Sequence, residues 1–121
     1  MDQADASLVM LRFLDALVER DFSRARACLS DNGFVYSSPL SVFNDPDAFI
    51  TDISRLGAIL EKLETRRLFA DGAEVCVIVN FKVRMAELSS IDVALWASVE
   101  RDRITSMDAF FDGRKYDALF E

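Results

Sequence analysis

Two neighbouring stretches of the sequence alternate between apolar and polar residues with a period of two, and this pattern limits the fold more than any other feature. Every odd position from 75 to 85 is apolar, whereas Asn80, Lys82 and Arg84 occupy even positions. Positions 91 to 99 repeat the rule, with apolar residues at the odd numbers. Antiparallel strands alternate in this way when one face packs on a core and the other does not. The pattern therefore predicts two long antiparallel strands.

A closing strand is predicted over residues 103–112 by the same alternation. Its odd residues are Thr105, Met107, Ala109 and Phe111, and its even residues are Ser106, Asp108, Phe110 and Asp112. The apolar odd set is expected to face the core, which directs Asp108 and Asp112 outward. Four strand residues span about 13 Å, whereas the paired carboxylates of glycosidases lie roughly 5 to 9.5 Å apart. We therefore expect a solvated strand face at these two aspartates and not a catalytic pair.

The strand that precedes these three, over residues 59–70, has no clear facing. Its charged residues fall on both odd and even positions. This distribution indicates a β-bulge or an edge strand. Thr65 and Arg67 face inward if the odd positions of this strand face the core.

Helices are predicted before the strands. Met10, Phe13, Leu14 and Leu17 recur at helical spacing, which indicates an amphipathic helix over about residues 4–19. Asp21 is a candidate N-cap for a second, shorter helix that runs to about residue 29. Residues 34–38 form a predicted short strand that ends before a proline.

The third predicted helix has the strongest start signal in the chain. Asp45 is its candidate N-cap, and Pro46 takes the first helical position. An apolar stripe follows, formed by Phe49, Ile50, Ile53 and Leu56, and Gly57 is predicted to end the helix. Helices first and long strands afterwards give an α+β layout in which the helices cover one face of the sheet.

The composition excludes several classes of partner. The 121 residues are 51% hydrophobic and 29% charged, as expected for a globular chain of one domain, residues 1–121. The formal net charge is −7 and there is no His, so nucleic acid is not an expected partner, because its binding depends on a basic surface. No stretch approaches the roughly 18 apolar residues of a membrane span, so no membrane partner is expected.

The two cysteines, Cys28 and Cys76, lack the spacing of a metal site. Because the chain also has no His, we expect no metal and no cofactor. Asp2 and Asp5 stand where a secretory signal would have basic residues. Together with two thiols that fit a reducing compartment, this predicts a cytoplasmic protein.

Three segments together resemble the nuclear-transport-factor-2-like superfamily, in its SnoaL-like and ketosteroid-isomerase-like branch. They are the opening helix LRFLDALVERDFSRARACLSDN, the capped helix DPDAFITDI and the closing strand DRITSMDAFFDG. The resemblance implies a cone, in which a curved antiparallel sheet of the cystatin-like type wraps around N-terminal helices and leaves an apolar cavity. It also implies homodimers that form through the outer face of the sheet.

The residues that carry out acid–base chemistry in that superfamily are not kept at the matching positions. Phe13 stands where the steroid isomerases have a tyrosine, Ser37 or Ser38 where they have a general-base aspartate, and Leu95 where they have a protonated aspartic acid; that isomerase is the standard example of a carboxylic acid kept neutral at pH 7. Ala109 matches the inward acid of the epoxide-hydrolase-like members. Dehydratase-like members use His, which this chain lacks.

What the resemblance leaves is a predicted cavity and a predicted interface. The candidate ligand-binding residues are inward apolar side chains with a few polar ones: Phe13, Ser37, Ser38, Ile53, Arg67, Val77, Val79, Phe81, Leu95, Ala97, Met107, Ala109 and Phe111. The candidate interface residues are Ile78, Trp96 and Phe110, which form an outward apolar patch together with Cys76 and Ala94. The alternative for this patch is that residues 116–120 fold back over it.

Three functions follow as hypotheses. The first is a dimeric protein that binds a small, largely apolar ligand in its cavity and catalyses no reaction. The second is an isomerase, cyclase or dehydratase that uses a constellation foreign to the family, with Tyr36, Ser37 or Ser38, and Arg67 as candidate catalytic residues. The third is an interaction module whose cavity is vestigial.

Overall fold

The computed structural model describes residues 3–84 and 87–114, with side chains from residue 6 onward. In chain order the elements are α1 (Gln3–Val18), α2 (Phe22–Ala27), β1 (Val35–Ser37), β2 (Val42–Phe43), α3 (Pro46–Ile59), β3 (Leu60–Asp71), β4 (Glu74–Arg84), β5 (Leu88–Glu100) and β6 (Arg103–Phe110). The strands form one curved sheet in the order β2-β1-β6-β5-β4-β3, antiparallel except for the parallel pair β1–β6. The predicted α+β class is confirmed.

The alternation predicted for β4, β5 and β6 is confirmed by the register of these strands. Val77 on β4 lies opposite Leu95 on β5, which lies opposite Ala109 on β6, and all three are buried. One residue along, Ile78, Ala94 and Phe110 form the matching row on the other face. The first face packs against α1 and α3, so it is called the inner face, and the second is called the outer face.

Strand β3 is an edge strand and carries two register shifts, so both sequence-based explanations for its mixed charges hold. Thr65 lies opposite Val79 on the inner face, and the second shift follows it at once. Arg67 therefore lies opposite Ile78 on the outer face and is exposed. The prediction that Arg67 faces inward is wrong, because a bulge adds one residue and reverses the facing of every residue after it.

The N-terminal helices follow the predicted pattern: α1 begins and ends one residue before its predicted bounds, and α2 is shorter than predicted. Asp21 caps α2 by accepting a hydrogen bond from the backbone N–H of Arg24. The helix ends at Ala27, two residues earlier than predicted, because Leu29 already forms a parallel bridge to Ile104 of β6.

The start of α3 is confirmed and its predicted end is wrong. Asp45 accepts a hydrogen bond from the N–H of Asp47 at 3.0 Å, and Pro46 opens the helix. The helix continues through Gly57 to Ile59. Gly57 is buried because Phe22 of α2 packs against it: a Cβ on Gly57 would lie 2.5 Å from Phe22 Cζ. The glycine is there for close packing and not for termination.

Arg20 binds backbone carbonyl groups at the C-terminal end of α3. This residue lies between α1 and α2 with a positive φ of 57°. Its guanidinium donates hydrogen bonds to the carbonyl oxygens of Gly57 (2.9 Å) and Leu60 (2.7 Å). The last carbonyl groups of a helix have no partner within the helix, so Arg20 satisfies two acceptors at the junction of α3 and β3.

Three further differences concern the strands and the chain end. Strand β2 was not predicted, because two residues are too few to show an alternation. Strand β6 ends at Phe110, and Asp112 instead accepts a hydrogen bond from the N–H of Arg114. Met85 and the segment 116–120, proposed as a cover for the outward patch, lie outside the described residues.

The contact between Gly57 and Phe22 predicts that a substitution at Gly57 changes the free energy of unfolding in opposite directions with and without the ring of Phe22. Gly57→Ala should lower the free energy of unfolding by about 1–2 kcal/mol, because the ring of Phe22 must move. In a Phe22→Ala background the same change should raise it by about 0.5–1 kcal/mol, since alanine is favoured over glycine in a helix.

Urea unfolding of the four proteins in this double-mutant cycle measures both values. If Gly57→Ala is stabilising with Phe22 present, the close packing of the two residues is refuted.

Candidate ligand-binding cavity

A cavity lies between α3 and the inner face of the sheet. Its wall comes from α1, α3, β1, β4, β5 and β6, the loop after β1 and the residue after β6; the lining residues are Phe13, Leu17, Tyr36, Ser38, Leu40, Ser41, Phe49, Asp52, Ile53, Leu56, Phe81, Val93, Leu95, Met107, Ala109 and Phe111. Residues from most of the chain therefore meet around one space.

The wall divides into a buried floor and a more exposed mouth. The floor comprises the fully buried lining residues, and all of them are apolar: Phe13, Leu17, Phe49, Leu56, Phe81, Val93, Leu95, Met107 and Ala109. The mouth comprises the lining residues that are partly or largely exposed: Tyr36, Ser38, Leu40, Ser41, Asp52, Ile53 and Phe111. Every polar side chain among the described residues of the wall lies at the mouth. This polarity suits a ligand with an apolar body and a polar end.

The space is small. The centres of water-sized molecules could occupy about 60 Å³ of it. A single water needs on the order of 10–15 Å³ in that measure, so the cavity has room for roughly five waters, or for a compact organic group. Longer ligands would have to extend through the mouth.

Phe49 of α3 holds the aromatic part of the wall together. Its ring stacks on Tyr36 with 4.4 Å between centroids, and lies 5.6 Å from Phe34, 6.2 Å from Phe43 and 6.3 Å from Phe13. Aromatic pairs at such distances attract one another beyond the effect of burial. Phe49 thereby joins α3 to α1, β1 and β2 on one side of the cavity.

The structure distinguishes the two candidate serines. Ser37 lies opposite Asp108 of β6 and outside the cavity wall, whereas Tyr36 and Ser38, one residue to either side, line the wall. Successive strand residues point to opposite faces, so only one of the two serines can face the cavity. That residue is Ser38.

The hydroxyl of Ser38 is used by the backbone of its own turn. Its Oγ accepts hydrogen bonds from the N–H groups of Leu40 and Ser41, both at 3.2 Å, and lies 3.4 Å from Ser41 Oγ. A serine becomes a nucleophile only when a neighbouring base accepts its proton. Among the described residues, the contacts of Ser38 are those of a turn residue and do not include such a base.

Asp52 is a polar residue of the wall that sequence reasoning missed. It lies on α3, its side chain is 36% exposed, and Arg55 Nη1 lies 3.6 Å from its Oδ1. A signal was available, because Asp52 stands three residues after Phe49 and four before Leu56, on the apolar stripe of the helix. An acid within such a stripe is a candidate site residue.

The predicted ligand-binding residues divide into two groups. Eight of them line the cavity: Phe13, Ser38, Ile53, Phe81, Leu95, Met107, Ala109 and Phe111. Five do not: Ser37, Arg67, Val77, Val79 and Ala97. The last three of these are fully buried in the core, so they face inward as predicted but fill space beside the cavity. Of the candidate catalytic residues, Tyr36 also lines the wall.

Thr65 lies on the inner face but at a different place. It borders an open groove between α1 and β3, where Leu8, Leu11 and Val18 are exposed. The groove is separate from the cavity in its lining residues.

Asp92 of β5 and Asp108 of β6 lie on the outer face. Asp92 accepts a hydrogen bond from Asn80 Nδ2 at 2.8 Å and is 3.7 Å from Arg66 Nη1. Asp108 lies opposite Trp96 on β5. Neither belongs to the lining residues, as expected from the alternation.

Of the positions that the resemblance matches to family catalytic residues, Phe13, Leu95 and Ala109 lie on the cavity wall. Of the two alternatives Ser37 and Ser38, only Ser38 does. The fold therefore directs each of these positions at the same space, yet none of the four side chains is an acid or a base near pH 7.

The described residues contain no group of three or more His, Cys, Asp or Glu side chains placed to hold a metal ion. Over the same residues, no helix has both the length and the apolar character needed to cross a membrane.

The outer face carries an apolar patch across four strands. It is formed by Phe69, Cys76, Ile78, Ala94, Trp96 and Phe110, and is called the outer patch below. Phe69, Trp96 and Phe110 are each about half exposed, at 57%, 47% and 55%. Trp96 Nε1 donates a hydrogen bond to Glu74 at 2.8 Å, which fixes the indole on this face.

The position of Phe49 at the centre of the aromatic wall predicts a large effect of its removal. Phe49→Ala should lower the free energy of unfolding by about 3–5 kcal/mol, the usual cost of deleting a fully buried phenylalanine. Val42→Ala is the control and should cost no more than about 1 kcal/mol, because Val42 is 67% exposed and lies outside the outer patch. Urea unfolding measures both, and equal losses would contradict the role given to Phe49.

No model of a known protein family matches the sequence, and no curated protein matches it. Solved structures do match the fold. An NTF2-like protein of unknown function from Cytophaga hutchinsonii is 24% identical, with a TM-score of 0.78 over 96% of this chain and 95% of that one. An LEH-like epoxide hydrolase of M. tuberculosis is 25% identical, with a TM-score of 0.80 over 98% of this chain and 89% of that one.

A third structure is a protein from Catenulispora acidiphila with a ketosteroid isomerase-like fold, in complex with trimethylamine. It is 11% identical, with a TM-score of 0.75 over 87% of this chain and 85% of that one. These matches confirm the resemblance drawn from the three sequence segments. The chain has the NTF2-like, ketosteroid isomerase-like fold.

Proposed function

We propose that the protein binds a small, largely apolar molecule in the cavity, with a polar end of the ligand at the mouth. The observation that carries the proposal is the division of the wall into an apolar floor and a polar mouth. Binding sites for small molecules are mostly apolar, with few polar groups that fix orientation. The complex of the Catenulispora acidiphila protein with trimethylamine supports small-ligand binding in this fold.

We further propose that the protein binds the ligand without transforming it at the positions that match family catalytic residues. Phe13, Ser38, Leu95 and Ala109 all border the ligand space. A general acid or base works best with a pKa near the operating pH, and none of these side chains offers one. The residues of the floor then determine how tightly the ligand binds and not the rate of a reaction.

A specific observation favours one second function, an isomerase-type enzyme. Asp52 and Tyr36 share the mouth, and these are a carboxylate and a phenol. Abstraction of a proton next to a carbonyl group needs a base and a hydrogen-bond donor to the developing oxyanion, roles that a carboxylate and a phenol can take. Asp52 and Tyr36 thereby replace the set with Arg67 as candidate catalytic residues. The LEH-like epoxide hydrolase shows that a protein of similar structure can be an enzyme.

Exchange of α-protons separates the two functions. Cyclopentanone in D₂O should lose its α-protons at the buffer rate when the protein is present, as followed by proton NMR. Acceleration by the protein that disappears in Asp52→Asn would establish the second function in place of the first.

Filling the floor should abolish binding. Ala109→Leu places a larger side chain in the cavity, whereas Ala58→Leu makes the same change at an exposed position of α3. With neutral probes of about five to eight heavy atoms, a size matched to the cavity, such as benzene, cyclopentanone and cyclohexanol, saturation-transfer NMR should detect binding to the wild type and to Ala58→Leu. We expect at least a tenfold weaker signal with Ala109→Leu.

Thermal unfolding of Ala109→Leu serves as the check on folding. Retained binding in a folded Ala109→Leu protein, or no binding of any probe to the wild type, would refute the proposed function. Native mass spectrometry of the protein from its source would identify a retained ligand directly.

We also propose that two copies of the chain associate through the outer patch. Its half-exposed Phe69, Trp96 and Phe110 lie on the same face of the sheet, and exposed apolar surface of this kind often marks an interface. An interface of ordinary size buries on the order of 800 Å² per partner.

A lysine in the outer patch should separate the copies. Phe110→Lys should sediment as a monomer at tens of micromolar, where the wild type sediments as a dimer, because the lysine would be buried without a partner. Val42→Lys is the control, since Val42 is an exposed apolar residue outside the outer patch. A monomeric wild type would contradict the proposal.

The two free cysteines provide a second measurement of the same association. Burial raises the pKa of the Cys28 thiol and also shields it, so Cys76 in the outer patch is the thiol expected to react. Its reaction with a thiol reagent should be faster in Phe110→Lys than in the wild type. Both free thiols fit the cytoplasm, which we propose as the compartment.

A further inference from the structure

We infer that the cavity selects ligands whose polar end is a small alkylammonium cation, bound at the mouth between Asp52 and the aromatic rings. The inference rests on the proposed function, because it names the class of ligand for the same site. Two independent features of the wall lead to it, which are its charge and its aromatic content.

The first feature is the sign of the charge at the mouth. Asp52 is the only carboxylate among the described residues that line the cavity, and none of those residues is Lys or Arg. The chain as a whole has a net charge of −7. A cation is therefore attracted both by the nearest charged group and by the field of the protein, and an anion is repelled by both.

The second feature is the aromatic content of the wall. Tyr36 and Phe111 lie at the mouth, and Phe13, Phe49 and Phe81 lie in the floor below them. Aromatic rings attract cations through the negative potential of their faces, and alkylammonium groups are commonly recognised in this way. The methyl groups of such a cation also suit an apolar space, which a compact, strongly hydrated ion would not.

The cation that pairs with Asp52 does not line the cavity. Arg55 Nη1 forms an ion pair with Asp52 Oδ1 at 3.6 Å, and the Arg55 side chain is 62% exposed. Asp52 is a lining residue and Arg55 is not. The side of Asp52 that faces the cavity can then interact with a ligand.

The volume agrees with this ligand class. The roughly five-water space accommodates a trimethylammonium-sized group. Ser38 and Ser41 at the mouth can contact a short polar extension of the ligand, although Ser38 Oγ is largely used by its own turn. The inferred ligand thus has its alkyl groups toward the floor, its nitrogen near Asp52 and any longer chain outside.

The test compares choline with 3,3-dimethylbutan-1-ol, in which carbon replaces the charged nitrogen at nearly the same shape. Isothermal titration calorimetry or NMR titration gives both dissociation constants. We expect choline to bind the wild-type protein at least tenfold more tightly, and added NaCl should weaken choline more than the alcohol.

Asp52→Asn should reduce the ratio of the two dissociation constants to about one, because it removes the charge and keeps the shape. Asp102→Asn is the matched control: it removes one charge from an exposed turn, at a positive φ that asparagine tolerates, and should keep the ratio. Phe111→Leu, which removes a ring at the mouth, should reduce the ratio several-fold.

The outcomes distinguish the inference from the proposed function. If the alcohol binds as tightly as choline, the cation inference is overturned and the binding function stands. If neither molecule binds and the neutral probes also fail, both are overturned. A ratio that falls equally in Asp52→Asn and Asp102→Asn would assign the preference to net charge and overturn the role of the mouth.

Discussion

The pleat of β4, β5 and β6 is the constraint on which the rest of the structure depends. Because successive residues point to opposite faces, one register places Val77, Leu95 and Ala109 together on the inner face. The same register places Asp92 and Asp108 on the outer face. A shift of one residue would reverse both sets, so the apolar floor of the cavity and the position of the carboxylates are a single property of the sheet.

The hollow lies between α3 and the inner face of the sheet, and specific contacts fix the position of α3 over it. Phe49 fixes one side of the helix to an aromatic group from α1, β1 and β2. Arg20 fixes its C-terminal end through two carbonyl groups, and Gly57 packs on Phe22 there. Small inner-face residues such as Ala109 do not fill the remaining distance. The cavity is thus a consequence of helix attachment, and its polar groups lie where the helix and the loop after β1 leave it open.

The sequence was informative wherever a regular period extended over several residues. The facing of β4, β5 and β6 follows from such periods, and the structure confirms it. The start of α3 follows from its N-cap Asp45 and from Pro46, and it is also confirmed. The facing of Arg67 did not follow, because a bulge after Thr65 interrupts the period and nothing in the local sequence marks its position. The sequence favours Gly57 as a helix end because glycine commonly ends helices. In the structure, close packing against the distant Phe22 explains the glycine instead.

The candidate site was predicted in the same uneven way. Inward apolar residues could be identified, but the distinction between lining the cavity and filling the core could not. Val77 and Leu95 are opposite one another, yet only Leu95 lines the cavity. That difference depends on where α1 and α3 lie over the sheet, which is a tertiary property. Asp52 is the exception, because its position on the apolar stripe of α3 was readable and was overlooked.

The central claim is that an apolar hollow, free of the strand carboxylates, exists between α3 and the inner face of the sheet. A crystal structure of the protein under xenon pressure tests it directly, because xenon occupies dry apolar cavities. We predict xenon density bordered by Phe13, Leu95 and Ala109, with Asp92 and Asp108 on the opposite face. A cavity closed by its own side chains, or either aspartate lining the hollow, would contradict the account.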